Sequence, residues 1–324
     1  MNRISRRSLL KRLLAATTVT LSGPIASVTY ASTAPTRTEF RIGWQKGGSL
    51  AVIKARGVFE KTLEASGVSV RWLEFPAGPQ MLEALNVGSI DLGLVGETPP
   101  VFAQAAGANL LYVGNEPPAV RAEALLVPKD SPIKTVAELK CKRIVLNKGS
   151  NVHYLLVRLL EKAGLKYSDV NVAFLPPADA RAAFERGAAD AWVIWDPYAT
   201  AAETQSGARR LADATGVADN HIFYVAARPF AEKHPEVLKL ALQEINVSSK
   251  WIEQNLDEAA KVIAPQIGLP HDVAKRAFSN YSFGVSPLTD DVVRRQQRIA
   301  DVFHTLGLIP KRVDVASVVW RSPV

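Results

Sequence analysis

What most constrains this chain is a strand–helix unit that occurs twice, in register, about a hundred residues apart. The first copy opens on Arg41-Ile42-Gly43-Trp44-Gln45-Lys46-Gly47 and the second on Arg143-Ile144-Val145-Leu146-Asn147-Lys148-Gly149. Each then carries Glu-Lys near the end of a helical stretch, Glu60-Lys61 and Glu161-Lys162. Val70 to Phe75 matches Val170 to Leu175, and each is followed by a proline, Pro76 or Pro176. Met81 to Asn86 matches Arg181 to Arg186, with Gly88 and Gly187 as stops, and Asp91 matches Asp190. Both copies end on an apolar strand halted by an acid and a proline. In the first, Ile90 to Gly96 meets Glu97-Thr98-Pro99; in the second, Ala191 to Trp195 meets Asp196-Pro197-Tyr198. Alternating strands and helices build a mostly parallel sheet flanked by helices, and a duplicated unit of this size predicts two lobes. In open sheets of this class ligands sit beyond the C-terminal strand ends, which is where Glu97 and Asp196 fall.

The remaining elements follow from periodicity and breakers. Strands are expected at Phe40–Trp44, Leu110–Gly114, Glu123–Val127, Arg209–Leu211 and Ile222–Ala226, and a single helix from Ser49 to about Glu64. Past Ala226 the pattern is helical: Val237–Gln254, with Leu238, Leu242, Ile245 and Ile252 on one face, then Ala259–Ile267, Asp272–Tyr281 and Thr289–Leu306, the last capped by Thr289 or Asp290. The breaker cluster Pro128-Lys129-Asp130-Ser131-Pro132 places the first crossing between lobes near it. The expected lobes are residues 38–124 with 225–324, and residues 125–224.

The charge of +8 suggests nucleic acid until it is located. Residues 1–31 hold Arg3, Arg6, Arg7, Lys11 and Arg12 and no acid, so the rest carries 34 basic against 31 acidic residues, or +3. No clustered basic face remains to bind nucleic acid. The basic start, the apolar run Leu13–Leu21 and the small residues around Ala31 read as an export signal. Ser5-Arg6-Arg7-Ser8-Leu9-Leu10-Lys11 is similar to the twin-arginine motif; a general secretory leader shares its architecture. Its apolar run is too short to span a bilayer, so the exported protein is expected in the periplasm. The lone Cys141 allows neither an intramolecular disulfide nor a thiolate metal site, and is expected as a half-buried small residue.

Four junctions share one design, a strand followed by Gly, Ser or Thr and a helix start: Gly47-Gly48-Ser49, Ala77-Gly78-Pro79, Glu97-Thr98-Pro99 and Gly149-Ser150-Asn151. Helix N-termini present unpaired N–H groups and the positive end of the dipole. Several facing each other make an anion site without Lys or Arg. Glu97 and Asp196 admit three readings: helix caps, hydrogen-bond acceptors across a cleft, or partners for an ammonium at the ligand's far end. Trp192 and Trp195 fall on opposite faces of their strand, and Trp195, at the strand end, is expected to face the cleft. Five histidines show no metal-ligand spacing, and no Walker, dinucleotide or nucleophile-elbow motif occurs. His153 reads as a ligand contact or polar wall rather than a base, and no cofactor is expected.

Val113-Gly114-Asn115-Glu116-Pro117-Pro118, Ser131 to Lys140, Lys148-Gly149-Ser150, Pro177 to Phe184 and Trp192-Val193-Ile194-Trp195-Asp196-Pro197-Tyr198 resemble the aliphatic sulfonate-binding proteins of ABC transporters. The resemblance covers about Thr38 to Trp320. It implies an α/β, two-lobed periplasmic-binding-protein fold (type II), with a ligand cleft between lobes that closes on its ligand. It implies a non-enzymatic, monomeric protein that hands an alkanesulfonate to an ABC permease and its ATPase for sulfur acquisition. Taurine, nitrate or a pyrimidine vitamin precursor are the alternative ligands. Carried over residue by residue, the cleft positions are Gln45, Gly78, Thr98, Ser150, His153, Trp195 and Asp196. Asn151-Val152 stand where the family more often has small hydroxyl residues. The fold also serves pyrimidine-precursor synthases with a reactive His and a Cys-rich segment; one cysteine and an export leader point away from that chemistry.

Overall fold

Each copy of the repeat builds its own five-stranded sheet in the computed structural model, which describes residues 38–321. The leader read at residues 1–31 lies outside the described residues. The first sheet takes β1 (Thr38–Trp44), β2 (Val68–Glu74), β3 (Leu92–Gly96) and β4 (Leu110–Asn115). The second takes β5 (Glu123–Val127), β6 (Arg143–Leu146), β7 (Asn171–Phe174), β8 (Ala191–Trp195) and β9 (Arg209–Asp213). The chain then returns to the first sheet as β10 (Ile222–Ala227). The orders are β2-β1-β3-β10-β4 and β7-β6-β8-β5-β9, one pattern repeated. In each, three strands of the repeat run parallel and one strand supplied by a crossing of the chain pairs antiparallel to β3 or β8. The crossings therefore run from Asn115 to Glu123 and from Asp213 to Ile222. That is upstream of the Pro128–Pro132 cluster, which instead ends β5. Strand pairing puts Glu123 and Ala124 in the second sheet and Ile222 to Tyr224 in the first.

The matched aspartates show how far the duplication goes. Asp91 Oδ2 accepts from Arg41 N at 2.8 Å, and Asp190 Oδ2 accepts from Arg143 N at 2.8 Å. Each tethers the strand that closes the repeat to the strand that opened it. The arginines repeat the theme, donating to the carbonyls of Gly88 and Ala188. The copies differ in one respect: buried Asp91 also receives Arg41 Nε at 3.0 Å and Nη2 at 2.5 Å. Asp91→Ala should therefore cost about 2–4 kcal/mol and Asp190→Ala about 1 kcal/mol. Urea unfolding checks the pair; equal costs would mean the guanidinium contacts add nothing.

Twelve α-helices cover the sheets among the described residues. The helix expected at Ser49–Glu64 is two, α1 (Ser49–Arg56) and α2 (Val58–Ala65), broken at Gly57 with φ 62°. Only glycine adopts that left-handed conformation without strain. The repeat helices are α3 (Gly78–Asn86), α4 (Thr98–Ala105), α5 (Asn151–Lys162), α6 (Pro177–Glu185) and α7 (Tyr198–Gln205). The six-residue α8 (Arg228–Lys233) escaped sequence reading because it is too short for an apolar period. Then come α9 (Pro235–Gln254), α10 (Leu256–Ile267), α11 (His271–Phe278) and α12 (Asp290–Thr305). On α9 the predicted face, Leu238, Leu242, Ile245 and Ile252, is buried. Thr289 Oγ1 caps α12 by accepting from Val292 N at 3.3 Å. Each sheet has its own apolar core, one holding Phe40 stacked on Phe230 at 4.9 Å, the other centred on Trp192. Cys141 is exposed, not half-buried. No described helix is long and apolar enough to cross a membrane.

Candidate functional site

All four strand-to-helix junctions meet at one cavity of about 40 Å³, lined from both halves of the molecule. Gly47 and Gly48 lead into α1, Gly78 begins α3, Gly96 and Pro99 flank the start of α4, and Ser150 and Asn151 start α5. The first-turn N–H groups of a helix have no intrahelical acceptor, so four positive helix ends border one space, with fewer donors where Pro79 in α3 and Pro99 and Pro100 in α4 carry no N–H. None of the lining residues is an acid, lysine, arginine or histidine. Gln45, Leu94, Trp195 and Tyr281 complete the wall, with Ala122, Asn220 and Ile222 from the crossing segments. An electropositive, uncharged site of this kind holds a small anion by neutral donors.

Of the seven carried-over positions, Gln45, Gly78, Ser150 and Trp195 line the cavity. Gln45 Nε2 donates to the Leu94 carbonyl at 3.0 Å, which fixes its amide. Ser150 Oγ donates to the Asn147 carbonyl at 2.7 Å. Trp195 is 8 % exposed and faces the cavity, while Trp192 is 0 % exposed and packs on Phe184, as strand alternation requires. The other three sit behind the wall. Thr98 is fully buried and its Oγ1 has no hydrogen-bond partner. His153 is buried one turn into α5, its Nε2 hydrogen-bonded to Tyr167 Oη at 2.8 Å and its ring among Phe102, Phe174 and Phe303. Burial there lowers its pKa to about 4, so it is a neutral wall element.

Asp196 is 0 % exposed. Its Oδ1 accepts from Thr200 N at 2.8 Å, capping the first turn of α7, and its Oδ2 accepts from Asn280 Nδ2 at 2.7 Å. Tyr281 Oη donates to the Asp196 carbonyl at 2.5 Å. The cap and the long-range acceptor are thus both realised, and both carboxylate oxygens are engaged. Glu97, its counterpart, accepts from His221 N at 3.1 Å and keeps Oε1 unpartnered. Matching sequence positions have diverged in use.

Sequence reasoning missed Tyr281 and Asn220, and it placed Asn151 at a junction without its long-range contacts. Asn151 Nδ2 donates to Glu123 Oε2 at 2.7 Å and to Asn220 Oδ1 at 3.1 Å, and Asn220 Nδ2 donates to the Ala119 carbonyl at 2.8 Å. One helix start is thereby tied to both crossings. The partners lie 28 and 69 positions away, and no local pattern marks such a contact.

Buried carboxyls surround the crossings. Burial raises Glu97 to about 8 and Glu116 to about 7, and pushes Glu123 and Asp196 up as well; the His221 N–H and the Tyr224 hydroxyl only partly offset this for Glu97 and Glu116. A carboxyl whose folded pKa exceeds its unfolded one contributes stability that is complete at acid pH and is lost as pH rises through the folded value. His153 acts oppositely, losing its contribution as pH falls from its ordinary range toward about 4. Several carboxyls outweigh one imidazole, so the melting temperature should fall by roughly 5 °C or more between pH 5.5 and pH 8.5. Calorimetric scans across that range check this, and a rise would contradict it.

Residues 41–278 match the family model described as the substrate binding domain of an ABC-type glycine betaine transport system. A relative from Escherichia coli (strain K12), named for binding aliphatic sulfonates, is 44 % identical over 304 residues, 93 % of this chain and 95 % of the relative. The crystal structure of the periplasmic aliphatic sulphonate binding protein SsuA from Escherichia coli superposes with a TM-score of 0.80 at 44 % identity, covering 88 % of this chain and 92 % of that one. The alkanesulfonate-binding protein SsuA from Xanthomonas axonopodis pv. citri, bound to MOPS, gives a TM-score of 0.84 at 44 % identity over 88 % of this chain and 98 % of that one.

Proposed function

We propose that this chain, which belongs to the family of aliphatic sulfonate-binding proteins of ABC transport systems, captures an alkanesulfonate in the cleft between its lobes and delivers it to an ABC permease for import. It is a binding protein of a transport system, not an enzyme. The observation that carries the ligand class is the convergence of four helix N-termini on a cavity without a charged residue. A sulfonate stays ionised at neutral pH and spreads one charge over three oxygens, so several directed neutral donors suit it. A quaternary ammonium asks for a cage of aromatic faces; here Trp195 and Tyr281 are the only aromatic rings in the wall.

In this reading Ser150 turns its hydroxyl from the Asn147 carbonyl to a sulfonate oxygen, Gln45 and the first-turn N–H groups take the others, and Trp195 covers the first carbons. Thr98 turns its unpartnered Oγ1 from the start of α4 toward the sulfonate, Asp196 holds the start of α7 from behind the wall, and His153 packs neutral between the lobes. The protein works in the periplasm as a monomer, exported by residues 1–31, with the permease and its ATPase as partners.

Calorimetric titration of the purified protein with ethanesulfonate, taurine, sulfate and nitrate tests this. The sulfonates should bind, and sulfate and nitrate should be at least tenfold weaker. Thr98→Ala with Ser150→Ala should abolish sulfonate binding and leave the fold intact by circular dichroism. Nitrate tighter than every sulfonate, or unchanged affinity in the double variant, would overturn the assignment.

A further inference from the structure

No acid lines the cavity, yet three buried glutamates stand next to residues that do. Glu97 follows the wall residue Gly96, and Glu123 follows the wall residue Ala122. Glu116 accepts from Tyr224 Oη at 2.7 Å, and that hydroxyl is hydrogen-bonded at 2.8 Å to Ser49 Oγ, at the start of α1 beside the wall residues Gly47 and Gly48. The donors these carboxyls meet are neutral. Glu97 takes the His221 N–H at 3.1 Å, and Glu123 takes Asn151 Nδ2 at 2.7 Å. Each also keeps one oxygen without a partner: Oε1 of Glu97, Oε2 of Glu116 and Oε1 of Glu123. Negative charge on such a group is unfavourable, and more so once an anion sits nearby. Asp196 differs in having both oxygens engaged.

The surrounding charges do not relieve them. Burial raises all three carboxyls, and like charges raise them further: Asp219 on Glu97, Glu253 of α9 on Glu116, and Glu97 and Asp213 of β9 on Glu123. Arg158 of α5 and Arg295 and Arg298 of α12 border the space beside Glu97. Arg295 is engaged by Asp219 at 2.9 Å and Asp291 at 2.6 Å, Arg158 is engaged by Glu161, and Arg298 is exposed. Tyr281, in the cavity wall, shows that charge on these acids is felt there. Burial holds its hydroxyl well above the ordinary value, and charge on Asp196, Glu116 and Glu123 raises it further.

We propose that anion capture is coupled to proton uptake: the cavity accepts its anion with Glu97, Glu116 and Glu123 protonated, and any proton these carboxyls have lost is taken back from water as the anion binds. The proposal rests on the reading of the cavity as a sulfonate site. In the free protein burial raises Glu97 to about 8 and Glu116 to about 7, so both lose protons from neutral pH upward. A bound negative charge raises them again. Binding therefore takes up protons, and affinity falls as pH rises through that range.

The experiment titrates ethanesulfonate into the purified protein by calorimetry from pH 7 to pH 9, above the ordinary histidine range, in phosphate and in Tris because a sulfonate buffer would compete. Ethanesulfonate stays ionised throughout, so any pH dependence belongs to the protein. Affinity should fall about tenfold from pH 7 to pH 9. At pH 8 the binding heats in the two buffers should differ in the sense of net proton uptake. Glu97→Gln with Glu116→Gln stays neutral at every pH and keeps an acceptor oxygen at each site. That double variant should show less than half the wild-type pH dependence. If it does not fold, the wild-type pH profile and the buffer heats decide alone. Affinity that is flat or rises with pH, with equal heats in both buffers, would overturn the coupling while the sulfonate site stands. An undiminished pH dependence in the folded double variant would overturn the assignment to these glutamates. Failure of ethanesulfonate to bind at any pH would overturn the sulfonate site and the coupling with it.

Discussion

Gly47→Ala is expected to weaken sulfonate binding about 10- to 100-fold while leaving the ligand-free protein as stable as before. A Cβ at Gly47 would lie 2.6 Å from the Asp196 carbonyl oxygen and 2.6 Å from Tyr281 Oη. Neither can retreat, because Tyr281 donates to that same carbonyl at 2.5 Å. Gly47 follows β1 of the first sheet and Asp196 follows β8 of the second, so the clash exists only where the two halves meet. The added methyl is relieved by parting the lobes. That reduces the population of the binding-competent form, and the apparent affinity falls by the same fraction. Calorimetry gives the affinity, and small-angle scattering with saturating ligand should show the variant more expanded than the wild type. Wild-type affinity in Gly47→Ala would mean that binding does not need this contact.

Asp196→Ala is expected to cost about 2–4 kcal/mol and to weaken binding as well. The substitution strands the Thr200 N–H at the start of α7 and the Asn280 side chain, both now held by the buried carboxyl. It also loosens the segment that places Tyr281 in the cavity wall. Asp196→Asn keeps one acceptor oxygen and the volume, and should cost less than half as much. Urea unfolding of the two variants separates lost hydrogen bonds from lost volume. Equal costs would contradict this, because the oxygen and the volume that Asn retains would then contribute nothing.

Much of this was legible because the chain says it twice. The matched Asp91 and Asp190, the four glycine- or hydroxyl-bearing junctions and the Trp192/Trp195 alternation are local patterns, and the structure gives each a place consistent with its spacing. The rest depended on distance along the chain. Nothing near Asp196 announces that Asn280 and Tyr281, more than eighty positions away, will close over it. His153 sits one turn from Ser150, but its ring is drawn toward Phe303 and Tyr167 rather than the cavity. The kink at Gly57 was hidden because a glycine within an apolar period reads as tolerated until its φ is known.

The most direct test of the central claim is a crystal structure of the protein with ethanesulfonate. The sulfonate oxygens should lie within about 3.2 Å of first-turn N–H groups at the starts of α1, α3, α4 or α5, with Ser150 or Gln45 completing the shell and no Lys or Arg among the contacts. A sulfonate held by an arginine or lysine, or seated away from the convergence of those helix starts, would contradict it.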